Sequence, residues 1–350
     1  MVKTKWWKTA SAVVVILITV LAPMAWAEKT PAGKGDVVKL ADTFGTAGVY
    51  PFYIAEDLGF FAEEGIKPEF VGVVPPPQLV AAVIAGRLDV GGAHVNRTIA
   101  AINSGAKIRA VVASTETTRE RPHMVFVVPA SSPIRTAKDL VGKRIAIMAY
   151  GGCNEYTPYE WMRKNGIARP KGKLKIVVVP PGREIDAVKH GDADVAGTHM
   201  NPLDIKKKGN DLRILFTDYE VWGTKGGATP NYFSEKFIKE KPDVVRRFVK
   251  AMGKTHNWIN ANPDKAIALF AKRVKVDPAT VNVNFYAPDG YIKEDTIKLW
   301  IDLLTDYGEV KPGIRPADIV TNAFNKEPLK INKKTKSAKS AVNNVTLVAK

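Results

Sequence analysis

The sequence predicts an α/β protein made of two lobes, each built on its own parallel sheet. Short apolar, β-branched runs alternate with segments of helical periodicity. The alternation ends near residue 128 and then starts again. With 350 residues, the chain is also long enough to bury two separate cores. Alternation of this kind is typical of parallel sheets that are covered by helices.

The first set of elements lies before residue 129. The run 76–85 places Leu79, Val80 and Val83 on one helical face, which indicates an amphipathic helix. The other apolar runs are short and rich in valine and isoleucine, as in buried strands. We expect strands at 37–41, 67–74, 88–92, 108–113 and 124–128, and helices at 53–61, 76–85 and 96–103.

The second set of elements repeats the pattern and gives way to helices after about residue 219. Ser234, Asn262 and Asp277 are good N-cap residues, and a proline follows two of them directly. The helices 295–306 and 316–324 complete the body. Before these helices we expect strands at 143–148, 174–179, 193–196 and 212–216, and helices at 156–164, 184–189 and 202–208.

Residues 1–27 have the pattern of a secretory signal peptide. Three lysines precede an apolar run from Ala10 to Ala22, and Ala25-Trp26-Ala27 provides a cleavage site. A membrane anchor is the alternative, but this run is shorter than the roughly 20 residues that cross a bilayer as a helix. No cysteine follows the site, which excludes lipid attachment there. We therefore expect a soluble, exported protein.

Composition excludes several classes of site. The single cysteine, Cys153, excludes an internal disulfide, and the five histidines show no metal-ligand spacing. We therefore predict no metal and no cofactor. The net charge of +17 is partly concentrated in the lysine-rich residues 327–350, which we expect to be a disordered tail. An exported chain whose basic excess lies in a tail is not expected to bind nucleic acid.

Four segments carry a resemblance to a known family. In the first, Gly59 ends a helix, Phe60 and Phe61 cover the core, and Gly65 turns the chain into a strand. In order, the segments read YPFYIAEDLGFFAEEGI (50–66), AGRLDVG (85–91), DLVGKRIA (139–146) and AVKHGDADV (187–195). The chain resembles the bacterial solute-binding proteins for sulfonates, taurine and nitrate, a family that also includes binders of pyrimidine precursors.

The resemblance implies a type II periplasmic-binding-protein fold with a ligand cleft between two α/β lobes. Lobe I would comprise residues 36–120 and 220–326, and lobe II residues 121–219. It also implies a periplasmic monomer that delivers its ligand to the permease of an ABC importer in the inner membrane. Hinge closure of the lobes around the ligand would create the form that the transporter recognises.

Ligands of open parallel sheets bind in the loops at the carboxyl ends of the strands. Two of these loops, 43–50 and 149–154, are rich in glycine and lead into helices, so their backbone N–H groups can bind an anion. Alternatively, these glycines only make tight turns. The same rule selects the loops 92–96, 114–119 and 198–201. The predicted ligand-binding residues are Thr43, Phe44, Thr46, Tyr50, His94, Thr115, Gly151, Gly152, Asn154, His199, Asn201 and Trp222.

We interpret the protein as a binder of a small organic anion, such as a sulfonate or taurine. Nitrate, bicarbonate or a pyrimidine precursor is the alternative ligand, and a ligand-sensing exported binder is the alternative role. An enzyme is not expected, because the sequence has no Gly-x-Ser-x-Gly elbow, P-loop or His-Glu-x-x-His motif. Cys153 has no neighbouring base in the sequence, so we expect it to line the pocket or to have no role.

Overall fold

The computed structural model describes residues 35–43, 48–207 and 209–325. The predicted signal peptide 1–27 and basic tail 327–350 lie outside the described residues, as do Phe44 and Thr46. No helix within the described ranges is long and apolar enough to cross a membrane.

The strands and helices alternate through the first two thirds of the body. The strands are β1 Asp36–Asp42, β2 Ile66–Val73, β3 Gly91–Gly92, β4 Ile108–Val112, β5 Thr115–Glu116, β6 Val125–Pro129, β7 Arg144–Ile147, β8 Lys175–Val178, β9 Val195–Thr198, β10 Leu212–Thr217, β11 Asn231–Ser234 and β12 Phe285–Tyr286. The helices are α1 Pro51–Asp57, α2 Phe60–Glu63, α3 Leu79–Ile84, α4 Val95–Asn103, α5 Cys153–Lys164, α6 Glu184–Lys189, α7 Pro202–Lys207, α8 Asp218–Trp222, α9 Glu235–Glu240, α10 Pro242–Ala261, α11 Pro263–Val274, α12 Glu294–Asp306 and α13 Pro316–Ile319.

The two lobes contain sheets of the same strand order. Lobe II has the order β8-β7-β9-β6-β10, in which β7 pairs in parallel with β8 and β9, and β6 runs antiparallel to both of its neighbours. In lobe I, β1 pairs with β2 and β11 lies between β3 and β4. The N–H groups of Asp89 and Val90 donate to the Lys39 carbonyl and join these ladders into β2-β1-β3-β11-β4.

One aspartate at the same place in each lobe fixes the central strands. The Asp89 carboxylate accepts the N–H of Lys39 in β1 at 2.8 Å, and the Asp194 carboxylate accepts the N–H of Arg144 in β7 at 2.8 Å. Each aspartate returns its own N–H to the carbonyl of the same partner. Both residues follow a glycine turn in the motifs that carried the resemblance, which gives those motifs a structural cause.

The chain crosses between the lobes twice. It enters the second sheet at β6 and returns to the first at β11, and both are the antiparallel strands of their sheets. We propose the lobe limits 120/121 and 219/220, which fall in these two crossings. The sequence analysis did not predict β11. This strand has only four residues, and its partners β3 and β4 lie more than a hundred residues earlier in the chain.

Three helix predictions need correction. The helix expected at 156–164 begins at Cys153, so the cysteine lies in its first turn and not in a loop. The helix expected at 53–61 is divided into α1 and α2 by Gly59, whose φ of 76° is accessible to glycine without strain. The last helix ends at Ile319 instead of residue 324, because Val320 is extended and forms a bridge to Ala110.

Candidate functional site

A cavity of about 710 Å³ lies between the lobes, at the ends of their strands. We call it the cleft. A smaller cavity of about 280 Å³ adjoins it on the side of lobe I, and the two share wall residues such as Pro76 and Gly92. The polar residues that line the cleft are Thr43, His94, Arg97, His123, Asn154, Glu184, Asp186, Lys189, Thr198, His199, Thr229, Thr280, Asn282 and Asn284, together with Cys153.

The cation that connects the two lobes at the cleft is Arg97, in the first turn of α4. Its Nη2 donates to the Tyr150 carbonyl at 2.6 Å, so the side chain reaches from lobe I to the loop before α5 in lobe II. Among the described residues Arg97 forms no ion pair with a carboxylate. Burial lowers the pKa of the guanidinium, since the charged form is partly removed from water. A negatively charged ligand would offset this desolvation cost.

Lobe II presents the N-terminus of α5 to the same space. Gly152 is the N-cap residue and contributes no side-chain bond, so the first N–H groups of the helix have no partner within it. A Cβ on Gly152 would lie 3.5 Å from both terminal nitrogens of Arg97 and 3.0 Å from the Asn154 side chain. The amide nitrogen of Asn154 is buried and has no hydrogen-bond partner among the described residues. The Arg97 guanidinium, the Asn154 side chain and the start of α5 therefore lie close together around Gly152.

His94 forms part of the wall on the side of lobe I. Its Nε2 lies 2.9 Å from the Gly226 carbonyl, and its ring packs edge-on against Trp300 at 4.6 Å between centroids. Burial lowers the pKa of His94 to about 3, so the ring is neutral at physiological pH. Its Nδ1 is buried and has no hydrogen-bond partner in the part of the chain that the structure describes.

Three further groups lie together on the side of lobe II. The ligand atoms of His123, Cys153 and His199 are all within 4.8 Å of one another. The Cys153 sulfur is 3.4 Å from Nε2 of His199, and the rings of His123 and His199 meet edge to face at 4.8 Å. Burial raises the pKa of Cys153 to about 12 and lowers the pKa of His199 to about 4. In the protein alone, therefore, both groups are neutral.

The structure brings many of the sequence-predicted residues to the two cavities. Thr43, His94, Gly152, Asn154 and His199 line the cleft. The smaller cavity is lined by two other predicted residues, Tyr50 and Thr115.

The remaining predicted residues within the described ranges line neither of these two cavities and make other contacts. Gly151 has a φ of 74° and donates its N–H to the Glu155 carboxylate. The Asn201 side chain caps α7 by accepting the N–H groups of Leu203 and Asp204. Trp222 donates to the Thr157 hydroxyl and packs on Trp300, the residue that supports His94.

Several polar residues that line the cleft were not predicted from the sequence, among them Arg97, His123 and Lys189. Arg97 could have been found as a cation in the first turn of a helix that follows a strand, one residue beyond the loop 92–96. His123 carried no local signal, because its partners Cys153 and His199 are distant in sequence. The sequence analysis considered only the spacing of the histidines along the chain. That spacing did not show that His123, Cys153 and His199 lie together in the fold.

Two α/β lobes of equal strand order around a ligand-sized cleft define the type II periplasmic-binding-protein fold. The sequence profile described as NMT1/THI5 like matches residues 46–266. The chain belongs to this family.

Two relatives illustrate the similarity in sequence. A binding protein of Brucella abortus (strain 2308) is 22% identical over 320 residues, which cover 87% of this chain and 94% of the relative. A Bacillus subtilis (strain 168) protein named as an aliphatic sulfonates-binding protein is 24% identical over 289 residues, which cover 80% and 85%.

Three solved structures share the fold. The alkanesulfonate-binding protein of Xanthomonas axonopodis pv. citri, bound to MOPS, has a TM-score of 0.66 at 18% identity and covers 82% of this chain and 99% of its own. The nitrate-binding protein of Synechocystis PCC 6803 has a TM-score of 0.64 at 13% identity, with coverages of 83% and 87%. The desulfurization enzyme DszB, in a mutant form bound to biphenyl-2-sulfinic acid, has a TM-score of 0.57 at 14% identity, with coverages of 83% and 97%.

Proposed function

We propose that the protein binds a small organic anion of the sulfonate class in the cleft, and that it does so in the periplasm as a monomer that supplies an ABC importer. The observation that carries the proposal is Arg97, a half-buried cation that bridges the lobes and has no carboxylate in contact among the described residues. Binding of an anion to Arg97 from one side and to α5 from the other would hold the lobes together.

The chemistry of the cleft favours a tetrahedral or trigonal oxyanion attached to an organic group. Such an oxyanion accepts several hydrogen bonds at once, and Arg97, the Asn154 amide and the first N–H groups of α5 supply them. A volume of about 710 Å³ lies within the range typical of pockets for small organic ligands, which is several hundred Å³. Nitrate alone would leave most of this space to water.

The relatives support the same class of ligand. One is named for aliphatic sulfonates, and a solved structure of the same fold holds MOPS, which is itself a sulfonate. A third relative, 25% identical over 228 residues, is named as a formylaminopyrimidine-binding protein. A pyrimidine precursor is therefore the second candidate ligand, and the unpartnered amide of Asn154 in the cleft would suit its ring nitrogens.

Catalysis by Cys153 is the alternative class of function. DszB shows that this fold can support an enzyme, and here a histidine lies 3.4 Å from the cysteine sulfur. A nucleophilic cysteine must be a thiolate, however, and burial raises the pKa of Cys153 to about 12. We therefore propose binding without turnover. Loss of a sulfinate or sulfonate substrate during incubation with the protein, measured as released sulfite, would instead indicate an enzyme.

The proposal is tested by calorimetry on the mature protein after it has been unfolded and refolded to remove bound ligand. A thermal-shift panel of alkyl and aryl sulfonates, taurine, nitrate, bicarbonate and pyrimidines first selects the ligand. A ligand at 100 times its Kd adds about 2.7 kcal/mol to the free energy of unfolding. The variant Arg97→Gln should then bind the selected sulfonate about 10- to 100-fold more weakly, because it loses charge-assisted hydrogen bonds.

The matched control is Arg87→Gln, which removes an exposed arginine of the same lobe and should leave the affinity unchanged. Equal affinities of the wild-type protein and Arg97→Gln would contradict the proposed site. A thermal shift with pyrimidines alone would mean that the ligand is a pyrimidine precursor and not a sulfonate. A sulfonate binder whose gene has no neighbouring permease and ATPase would favour the sensing role over import.

A further inference from the structure

We propose that His123, Cys153 and His199 form a binding site for a transition-metal ion of the Zn²⁺ type, with one coordination position open to the cleft. We call these three residues the metal triad. The proposal does not depend on which anion the cleft binds, because all three residues belong to the sheet of lobe II or to the helix that follows it.

The topology of lobe II brings the metal triad to one edge of the sheet. Strands β6 and β9 pair antiparallel with Val125 opposite Thr198, so His123 before β6 and His199 after β9 emerge side by side. Strand β7 lies next to β9 and leads through a short loop into α5, whose first residue is Cys153. Strand register therefore determines the arrangement, and the site requires no movement of lobe I.

The distances within the metal triad suit a tetrahedral ion. With Zn–N bonds of about 2.0 Å and Zn–S bonds of about 2.3 Å, two ligand atoms of a tetrahedral site lie roughly 3.5 Å apart. The sulfur of Cys153 and Nε2 of His199 are 3.4 Å apart. All three ligand atoms lie within 4.8 Å of one another. The His123 nitrogen would have to move closer to the other two ligand atoms to complete the triangle.

His123 provides the second, independent observation. The residue is only 5% exposed, and both of its ring nitrogens are buried with no hydrogen-bond partner among the described residues. An unpaired buried polar group is costly, on the order of 1–3 kcal/mol, so it requires a reason. A metal ion would supply the missing partner for one nitrogen.

The protonation states are compatible with coordination. Burial keeps both imidazoles neutral by lowering their pKa values, and a neutral imidazole is the form that binds metals. Cys153 binds as the thiolate, so its S–H bond breaks on coordination and the proton passes to solvent. Two imidazoles and a thiolate favour Zn²⁺, Co²⁺ or copper over Mg²⁺ and Ca²⁺, which prefer oxygen ligands.

The open position would face the cleft close to Arg97. A divalent ion with one thiolate carries a net charge of +1, which Arg97 would reinforce. Such a site would attract an anion that coordinates through oxygen. Metal binding would thereby couple to ligand binding, although the metal itself is bound by the triad alone.

The experiment is a titration of the chelator-treated, full mature protein with Zn²⁺ followed by calorimetry, and with Co²⁺ followed by absorption, in the absence of any organic ligand. We expect one equivalent of each metal to bind and the Co²⁺ complex to show a thiolate-to-cobalt band in the near ultraviolet. Cys153→Ser should abolish that band and weaken Zn²⁺ binding at least tenfold. His123→Gln should weaken Zn²⁺ binding to the same degree.

The matched control, His190→Gln, removes an exposed histidine of lobe II and should bind like the wild-type protein. Circular dichroism of each metal-free variant establishes that it is folded. The proposal is overturned if the wild-type protein binds no metal, or if folded Cys153→Ser and His123→Gln bind Zn²⁺ as the wild-type protein does. It is also overturned if the Co²⁺ complex lacks the thiolate band.

Discussion

The two lobes have the same strand order but contribute different chemistry to the cleft. Lobe I supplies a permanent cation, Arg97, on α4. Lobe II supplies the N-terminus of α5 and the cluster around Cys153, together with the charged residues Glu184, Asp186 and Lys189 of α6. The scaffold of one lobe therefore repeats in the other, down to the aspartates Asp89 and Asp194, whereas the site does not repeat. Strand order determines where a residue lies, and local sequence determines what it does.

The histidines His94 and His199 show this difference most clearly. Each follows the central strand of its sheet, β3 or β9. His94 is anchored to Gly226 and packed on Trp300, so it serves as a structural part of the wall. His199 instead faces the Cys153 sulfur. Equivalent positions thus give one side chain that supports the wall and one that contacts the cysteine.

The largest effect should come from removal of the supporting histidine. His94→Ala should lower the free energy of unfolding by about 3 kcal/mol, because it leaves a cavity against Trp300 and deprives a buried carbonyl of its partner. His199→Ala should cost about 1 kcal/mol or less, since His199 is only partly buried whereas His94 is buried. Urea unfolding of both variants measures the difference. Equal losses of stability in the two variants would contradict the different roles assigned to His94 and His199.

The next largest change in stability should depend on pH and should come from His256 in the core of lobe I. The ring is buried and stacks on Tyr286 at 5.2 Å, and burial lowers its pKa to about 3. The unfolded chain takes up a proton below pH 6.5, whereas the native protein does not until about pH 3. This stabilising contribution is therefore complete above pH 6.5 and is lost as the pH falls, by up to about 1.4 kcal/mol per pH unit.

His256→Phe removes this titration while it conserves most of the buried volume. Between pH 6.5 and 5, the wild-type protein should lose roughly 2 kcal/mol more stability than the variant. The exposed His190 provides the control, since His190→Phe should lose stability in parallel with the wild-type protein. If the free energy of unfolding fell equally with pH in all three proteins, burial of His256 would not be the cause of the loss of stability in acid.

Removal of either repeated aspartate should lower the free energy of unfolding by the same amount in both lobes, and by less than the changes above. Asp89→Ala and Asp194→Ala each remove the acceptor of one backbone N–H in the central sheet, at about 1–2 kcal/mol. The costs should add in the double variant, because the sites share no partners. The Asp194–Arg144 ion pair is partly exposed and should add little. A loss of stability in only one of the two single variants would contradict the structural repeat.

The smallest effect concerns affinity alone. Gly152→Val should weaken anion binding about tenfold, because its Cβ would crowd the Asn154 side chain at 3.0 Å and its methyl groups would occupy space beside the Arg97 guanidinium. Folding should be preserved, since the φ of −120° at Gly152 suits a β-branched residue. Calorimetry on the folded variant measures the affinity. An unchanged Kd would place the ligand away from α5.

The sequence predicted the fold well because its signals are local. Apolar periodicity located the strands of both sheets, and the glycine-aspartate motifs coincide with the bonds that join the central strands. Strand β11 was not predicted, because its pairing depends on residues that are far away in the sequence. Its short apolar core, Tyr232 and Phe233, also gives little periodicity.

The site was less predictable for the same physical reason. Glycine loops before helices can be recognised from the sequence, and Gly152 does lie at the cleft. The position of Arg97 just beyond a strand end made it a candidate, but its contact with the other lobe could not be predicted, since only the fold creates that contact. His123, Cys153 and His199 have no informative spacing, because strand register brings them together after folding.

A crystal structure of the mature protein with the sulfonate selected by thermal shift would test most directly whether the two lobes share one anion. The account predicts sulfonate oxygens within hydrogen-bonding distance of the Arg97 guanidinium in lobe I and of Asn154 at the start of α5 in lobe II. A sulfonate bound in the smaller cavity, or in contact with one lobe only, would contradict it.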